Sequence, residues 1–172
     1  MWSNVLLIIL LIICVFTDLQ KRKIYNSVLF PFLLTSFVLH TVMDGLSGLS
    51  GALIGTAVGF GILLIPYLLG GMGAGDVKLL AVIGALKGMT FVLWAALNMA
   101  LAGGIMALLI ILFQKGMKKR LFHALTFLHG LRHGIRLPLM AENGALKTTY
   151  PYGIAIAAGA IYQIARSGGF SI

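Results

Sequence analysis

The chain has 172 residues, 60% of them hydrophobic and only 10% charged, with 13 Lys and Arg against four Asp and Glu for a formal net charge of +9. A soluble domain carries about 25% charged residues, so polar groups cannot cover this surface, and a mean hydropathy of +1.04 makes lipid the expected solvent. At roughly 20 residues per span the length holds about six spans and no separate soluble domain, and the positive charge reads as loop charge rather than a nucleic-acid footprint, because no basic stretch is interleaved with aromatics.

The first apolar run covers about 2–17. No positive residue precedes it and "QKRK" follows it, the reverse of the charge order in a secretory signal peptide, and it lacks a small-residue cleavage site. It is read as a true first span with its N-terminus outside. Cys14, the single cysteine, lies within it as a small buried hydrophobe and can form neither an intramolecular disulfide nor a zinc pair. A second span is expected over about 25–42, a turn at "MDGLSGLS", and a third span over about 49–69. Gly51, Gly55 and Gly59 recur at four-residue spacing in the third, a smooth stripe where another helix can approach closely. The loop "GGMGAGD" leads into a fourth span of about 77–87, short enough to reach about half of a 30 Å hydrocarbon core. A fifth covers about 90–113, a long basic stretch fills 114–149, and a sixth runs over about 150–166. With the N-terminus outside, eleven of the 13 Lys and Arg fall in inner loops, and only Lys87 and Arg166 fall outside. The expected fold is thus all-α: one membrane-embedded domain over 1–172 with about six transmembrane helices, one of them short.

Four carboxylates must be placed on this topology. Asp18 ends span one and Asp76 precedes span four, both at the inner interface, whereas Asp44 lies in an outer loop and Glu142 in the long inner one. Asp76 can be read as an N-cap of the helix that follows. Asp18 ends an apolar helix, where a negative charge opposes the dipole, so a task or a partner is implied. Gly70, Gly71, Gly73 and Gly75 crowd ahead of Asp76. Non-helical backbone at membrane depth survives only where protein or water covers it, so this loop is a candidate wall for a cavity holding water or peptide. Two close, desolvated carboxylates do not both ionise. The charged one can activate water, and the neutral one can donate to a carbonyl oxygen. This is the logic of an aspartic protease, and it needs no metal and no other cofactor.

The same residues resemble a known family. "GAGD" followed by "VKLL" is similar to the GxGDxKL signature of type IV prepilin peptidases, membrane aspartic proteases of the GxGD class. Asp18 with "LQKRKIYN" resembles that family's D-x4-R-x-I-P-N pattern, with Arg22 one position early, Tyr25 in place of proline, and Asn26 kept. "YPYGIAIAAGA" resembles its P-[YF]-G-x-A-x-A stretch. The resemblance implies a catalytic pair, Asp18 and Asp76, a loop shaped by Gly73 and Gly75, and supporting roles for Asn26 and Lys78; Lys78 reads equally as a snorkelling interfacial cation. The implied activity is removal of the short basic leader of a prepilin at the cytoplasmic face of a prokaryotic inner membrane, in type IV pilus assembly and protein secretion. Longer members carry paired CxxC motifs and methylate the new N-terminus. This chain has neither the cysteines nor the length, so it resembles the short Flp/Tad-type form, which gives no support for methylation or zinc.

His129 and His133 are four apart and His123 is six earlier, which admits a metal site; a basic amphipathic helix over about 114–136 lying on anionic lipid, or docking a partner, accounts for the same residues. Two other functions remain open at this stage: a small transporter or channel using interfacial carboxylates, and an inactive structural subunit of a secretion or pilus system. The number of copies that assemble is left open.

Overall fold

A computed structural model describes residues 2–113 and 152–167, and among these every regular element is an α-helix. In chain order they are α1 (Trp2–Lys21), α2 (Asn26–Leu68), α3 (Ala74–Lys87), α4 (Met89–Phe113) and α5 (Tyr152–Arg166). Met1–Gly103 with Pro151–Ile172 form one compact unit, which contains the site discussed below; Gly104–Tyr150 form a second, of which only the run of α4 to Phe113 is described. The expectations placed on 114–149, namely the surface helix, anionic-lipid contact, Glu142 and the trio His123, His129 and His133, lie outside the described residues.

α1 buries Leu7, Leu10, Leu11, Cys14 and Asp18, a stripe repeating every three or four residues along one face. Val5, Ile9, Ile12, Phe16 and Leu19 are exposed on the other side. Asp18 therefore continues the buried stripe rather than turning outward with the charges that follow it. The helix stops at Arg22, the one non-glycine residue with positive φ (49°) among those described, whose N–H donates to the Asp18 carbonyl at 2.8 Å.

α2 departs in detail from the expected span, loop and span. Helical backbone persists through most of "MDGLSGLS", and the break is concentrated at Gly45 (φ 63°, ψ −146°), a conformation open to glycine at little cost. The chain reverses there: a Cβ on Gly48 would run into the carbonyl oxygen of His40, and Thr56 and Phe60 line the same cavity as Asn26, Leu29, Phe30 and Leu33. In a straight helix, residues eight apart lie about 12 Å apart. α2 is thus an antiparallel helical hairpin with arms 26–44 and 46–68. Its second arm ends at Gly70 (φ 76°), and the Gly71 N–H closes the last turn on the Pro66 carbonyl at 2.9 Å.

The second arm packs on α3 through glycine. Gly55 meets Gly84 backbone to backbone, a Cβ at Gly59 would sit 2.9 Å from the Leu80 carbonyl carbon, and Gly51 has nothing within 4 Å. Two of the three stripe glycines therefore make the close approach, and α3 contributes one of its own. α3 starts three residues ahead of the expected span because Asp76 caps it. Ten of its 14 residues are buried, so this short helix is enclosed by protein and need not reach across lipid by itself. Gly88 (φ 81°) ends it, and α4 begins at the next residue. α5 buries Ala155, Ile156, Ala157, Ala160, Gln163 and Ile164. Its Gly159 lies against Ala95 and Met99 of α4, and Asn98 Nδ2 donates to Gln163 Oε1 at 3.4 Å.

Trp2–Lys21 and Asn26–Leu68 are long and apolar enough to cross a membrane, and Met89–Ile105 and Gly153–Arg166 are shorter apolar helices. Large apolar side chains cover the outside of these helices, among them Phe30, Leu34, Val38, Leu53, Ile54 and Leu97. A surface of that kind is stable where its neighbours are other apolar groups.

Candidate active site

Several helix termini meet at one end of the first unit. α1 finishes there, and the first arm of α2 and α3 begin there: Lys78 Nζ donates to Asn26 Oδ1 at 3.0 Å across 52 residues of sequence. The opposite end is marked by Lys87, whose Nζ donates to Asn4 Oδ1 at 2.6 Å and which lies over the Phe91 ring, and by His40, packed edge-on against Trp2 and 3.8 Å from the Asp44 carboxylate. Asp44 is exposed and stands a whole arm of α2 away from Asn26.

Asp18 and Asp76 are both buried, 7% and 9% exposed, at the first of these ends, and the charge of Asp18 acts on Asp76. Each carboxylate is held by a backbone amide. Asp76 is the third residue of α3, and its Oδ2 accepts the Gly73 N–H at 3.2 Å, half of a capping box that places the carboxylate over its own helix start. Asp18 Oδ2 accepts the Gly153 N–H at 3.1 Å from the first turn of α5. Both therefore sit where helix dipoles and orphan amides favour negative charge, which offsets part of the cost of burial. The dipole of α1, which opposes a charge on Asp18, is countered by that of α5 and by Arg22, whose charge also acts on Asp18.

The glycine loop fits closely round this arrangement. A Cβ on Gly75 would lie 2.9 Å from the Ile24 side chain, in the connection between α1 and α2, and one on Gly73 would lie 3.3 Å from Asp76 Oδ2. Gly73 and Gly75 thus admit the α1–α2 connection and the Asp76 carboxylate beside α3, and neither has positive φ. Lys78 and Asn26 lie together on another side of α3, two residues on from Asp76 and so about 200° round the helix. They line a cavity of about 410 Å³ together with Leu29, Phe30, Leu33, Thr56 and Phe60 of α2 and Ala81 and Val82 of α3. Gly153 belongs to the PYG stretch, whose local pattern does not reveal its contact with Asp18. The available signal was a glycine in the first turn of the last apolar helix. Among the described residues no group of three or more His, Cys, Asp and Glu is gathered as a metal site would need.

The described residues form a helical protein with two helices long and apolar enough to cross a membrane and with two buried carboxylates at one set of helix ends. The chain belongs to the type IV leader peptidase family, which it matches over residues 5–108. No curated protein and no solved structure matches it. The match runs from within α1 to within α4, takes in both aspartates and ends before α5. Membership points to protease activity and, with the apolar helices, to membrane association.

Proposed function

We propose that the chain is an aspartic endopeptidase that removes the short basic leader from Flp-type prepilins, with Asp18 and Asp76 as the catalytic pair. The observation that carries this reading is the convergence of two buried carboxylates, 58 residues apart in sequence, within Coulombic range at one set of helix ends. One aspartate takes a proton from water as the water oxygen bonds to the scissile carbonyl carbon. The other donates its proton to the carbonyl oxygen. On collapse of the tetrahedral species the C–N bond breaks, the amine leaves with the first proton, and a hydroxyl returns the second.

The two arms of α2 serve as separate spans in this reading, which with α1, α3, α4 and α5 makes six. Lys21, Arg22, Lys23 and Lys78 belong to the same helix ends as the aspartates, and the positive-inside rule puts that end in the cytoplasm and the N-terminus outside. A substrate cut just before its hydrophobic helix presents its scissile bond at this interfacial level. An ion path through the membrane would call for acids near mid-helix, and the pair stands at helix ends instead. Gly73 and Gly75 shape the loop, while Lys78 with Asn26 ties α3 to α2 beside it. The whole chain acts as one peptidase domain, and nothing in its residues supports a methyltransferase activity beside it.

The test is a cleavage assay with the purified protein in nanodiscs and a panel of precursors bearing class III signals. Leader removal at the start of the hydrophobic segment is expected, unchanged by EDTA and unchanged in Asp44→Asn, whose carboxylate stands at the far end of the helices. Failure to cut any member would overturn the reading, and a large loss in Asp44→Asn would show that the wrong acids were paired.

A further inference from the structure

The α5 side of the contact with Asp18 lies outside the residues that match the family. It spans 135 positions of sequence, is buried, and joins the first turn of one helix to the last turn of another. It also leaves no room for a side chain: a Cβ on Gly153 would stand 2.6 Å from Asp18 Oδ2, 3.1 Å from its carboxyl carbon and 3.3 Å from its Cβ. Real Cβ atoms do not approach carboxylate oxygens that closely, so any residue but glycine at 153 displaces either the carboxylate or the start of α5.

The surroundings of the two acids differ by one charge. Asp18 faces the Gly153 amide at the positive end of α5, Cys14 of its own helix, Arg22 just past that helix's end, and Asp76 of α3. Asp76 has the Gly73 amide, and the neighbouring charge that reaches it is the negative one of Asp18. Each carboxylate has one amide donor and the other acid as a neighbour, and the cation Arg22 stands beside Asp18 alone, which divides one proton unequally between them.

Building on the aspartic peptidase reading, we infer that Gly153 is a positioning residue that holds Asp18 as the ionised, water-activating member of the pair, leaving the proton on Asp76. Asp18 takes the proton of the attacking water and passes it to the leaving amine, while Asp76 gives its proton to the carbonyl oxygen and recovers it from the hydroxyl on collapse. α5 thus completes a site whose acids both come from the first half of the chain.

The experiment compares the pH–rate profiles of the wild type, Gly153→Ala, Arg22→Gln and Arg22→Lys in nanodiscs. Losing the amide contact destabilises the Asp18 anion, so more base is needed to ionise it and the acid limb of kcat moves to higher pH. Gly153→Ala is expected to lower kcat roughly a hundredfold near the wild-type optimum, the size of effect a displacement of about 1 Å can produce, with KM within about twofold and partial recovery at higher pH. Arg22→Gln, whose exposed side chain carries little packing, moves the limb the same way, and Arg22→Lys restores it. A loss of equal factor at every pH, or an unmoved limb in Arg22→Gln, overturns the inference while the peptidase reading stands. Infrared titration of the carboxyl bands supplies a readout that needs no cleavage. Asp18→Asn must remove the carboxyl that ionises at lower pH and Asp76→Asn the one that ionises at higher pH; the reverse assignment overturns the inference even if no precursor is cut.

Discussion

Asp18→Asn and Asp76→Asn are each expected to abolish leader removal, lowering kcat/KM by at least about 10²–10⁴, the usual worth of a positioned general acid or base. Asparagine keeps the shape of the side chain and an oxygen that can accept the Gly153 or Gly73 amide, so the helices still seat against it. What is lost is the ability to take or give a proton. On the proposed mechanism the pair acts as a unit, so the double variant should be no slower than the slower single one. The measurement is single-turnover cleavage in nanodiscs alongside a thermal unfolding scan. Unchanged unfolding with lost cleavage supports the pair, and normal processing by either variant removes it.

The second large effect concerns stability rather than chemistry. Gly55→Val and Gly84→Val are expected to keep the protein from accumulating folded in the membrane, whereas Gly51→Val should fold normally. At Gly55 an added Cβ would lie 2.8 Å from the Gly84 carbonyl carbon and 3.1 Å from that of Gly88, and at Gly84 it would lie 2.6 Å from the Gly55 carbonyl carbon. These obstacles are backbone, so no rotamer change relieves them and the two helices must separate. Overpacking that side chains can partly absorb costs about 1–3 kcal/mol, and separating α3 from the hairpin also exposes the Asp76 end of the site. At Gly51 the same substitution meets open space and replaces the poorest non-proline helix former, a gain of a few tenths of a kcal/mol. Detergent unfolding midpoints for the three variants decide it. A folded Gly55→Val protein with a wild-type midpoint would refute the backbone-to-backbone contact.

Much of this was legible in the residues. The absence of charge through 2–17 and 49–69 leaves those stretches no stable place but an apolar one. There a helix satisfies its own backbone, so helical class and approximate element bounds follow from composition. Asp18 and Asp76 stood out because each borders such a run in a chain with four acids, and a carboxylate at the end of an apolar helix needs a reason. The local glycine chemistry also read correctly in kind: a crowded loop before Asp76 and a smooth stripe on the third apolar run.

Contacts between segments distant in sequence were not legible, because nothing in local pattern encodes which surfaces meet. Four-residue spacing marks Gly51, Gly55 and Gly59 alike, and only the position of α3 separates the two that touch backbone from the one that touches nothing. "MDGLSGLS" reads as a loop by composition, yet the reversal needs one residue, Gly45, because its positive φ turns the chain and leaves the flanking residues free to remain helical. Residues 18 and 76 could be set at one depth by counting, but what each carboxylate touches depends on the ends of helices elsewhere. The amide that reaches Asp18 comes from residue 153, and the one that reaches Asp76 from its own cap. Composition and periodicity act on each segment by itself, so the sequence alone determined an apolar helical protein with two conspicuous acids. Their environment is a sum over long-range contacts, and only the packed fold decides it.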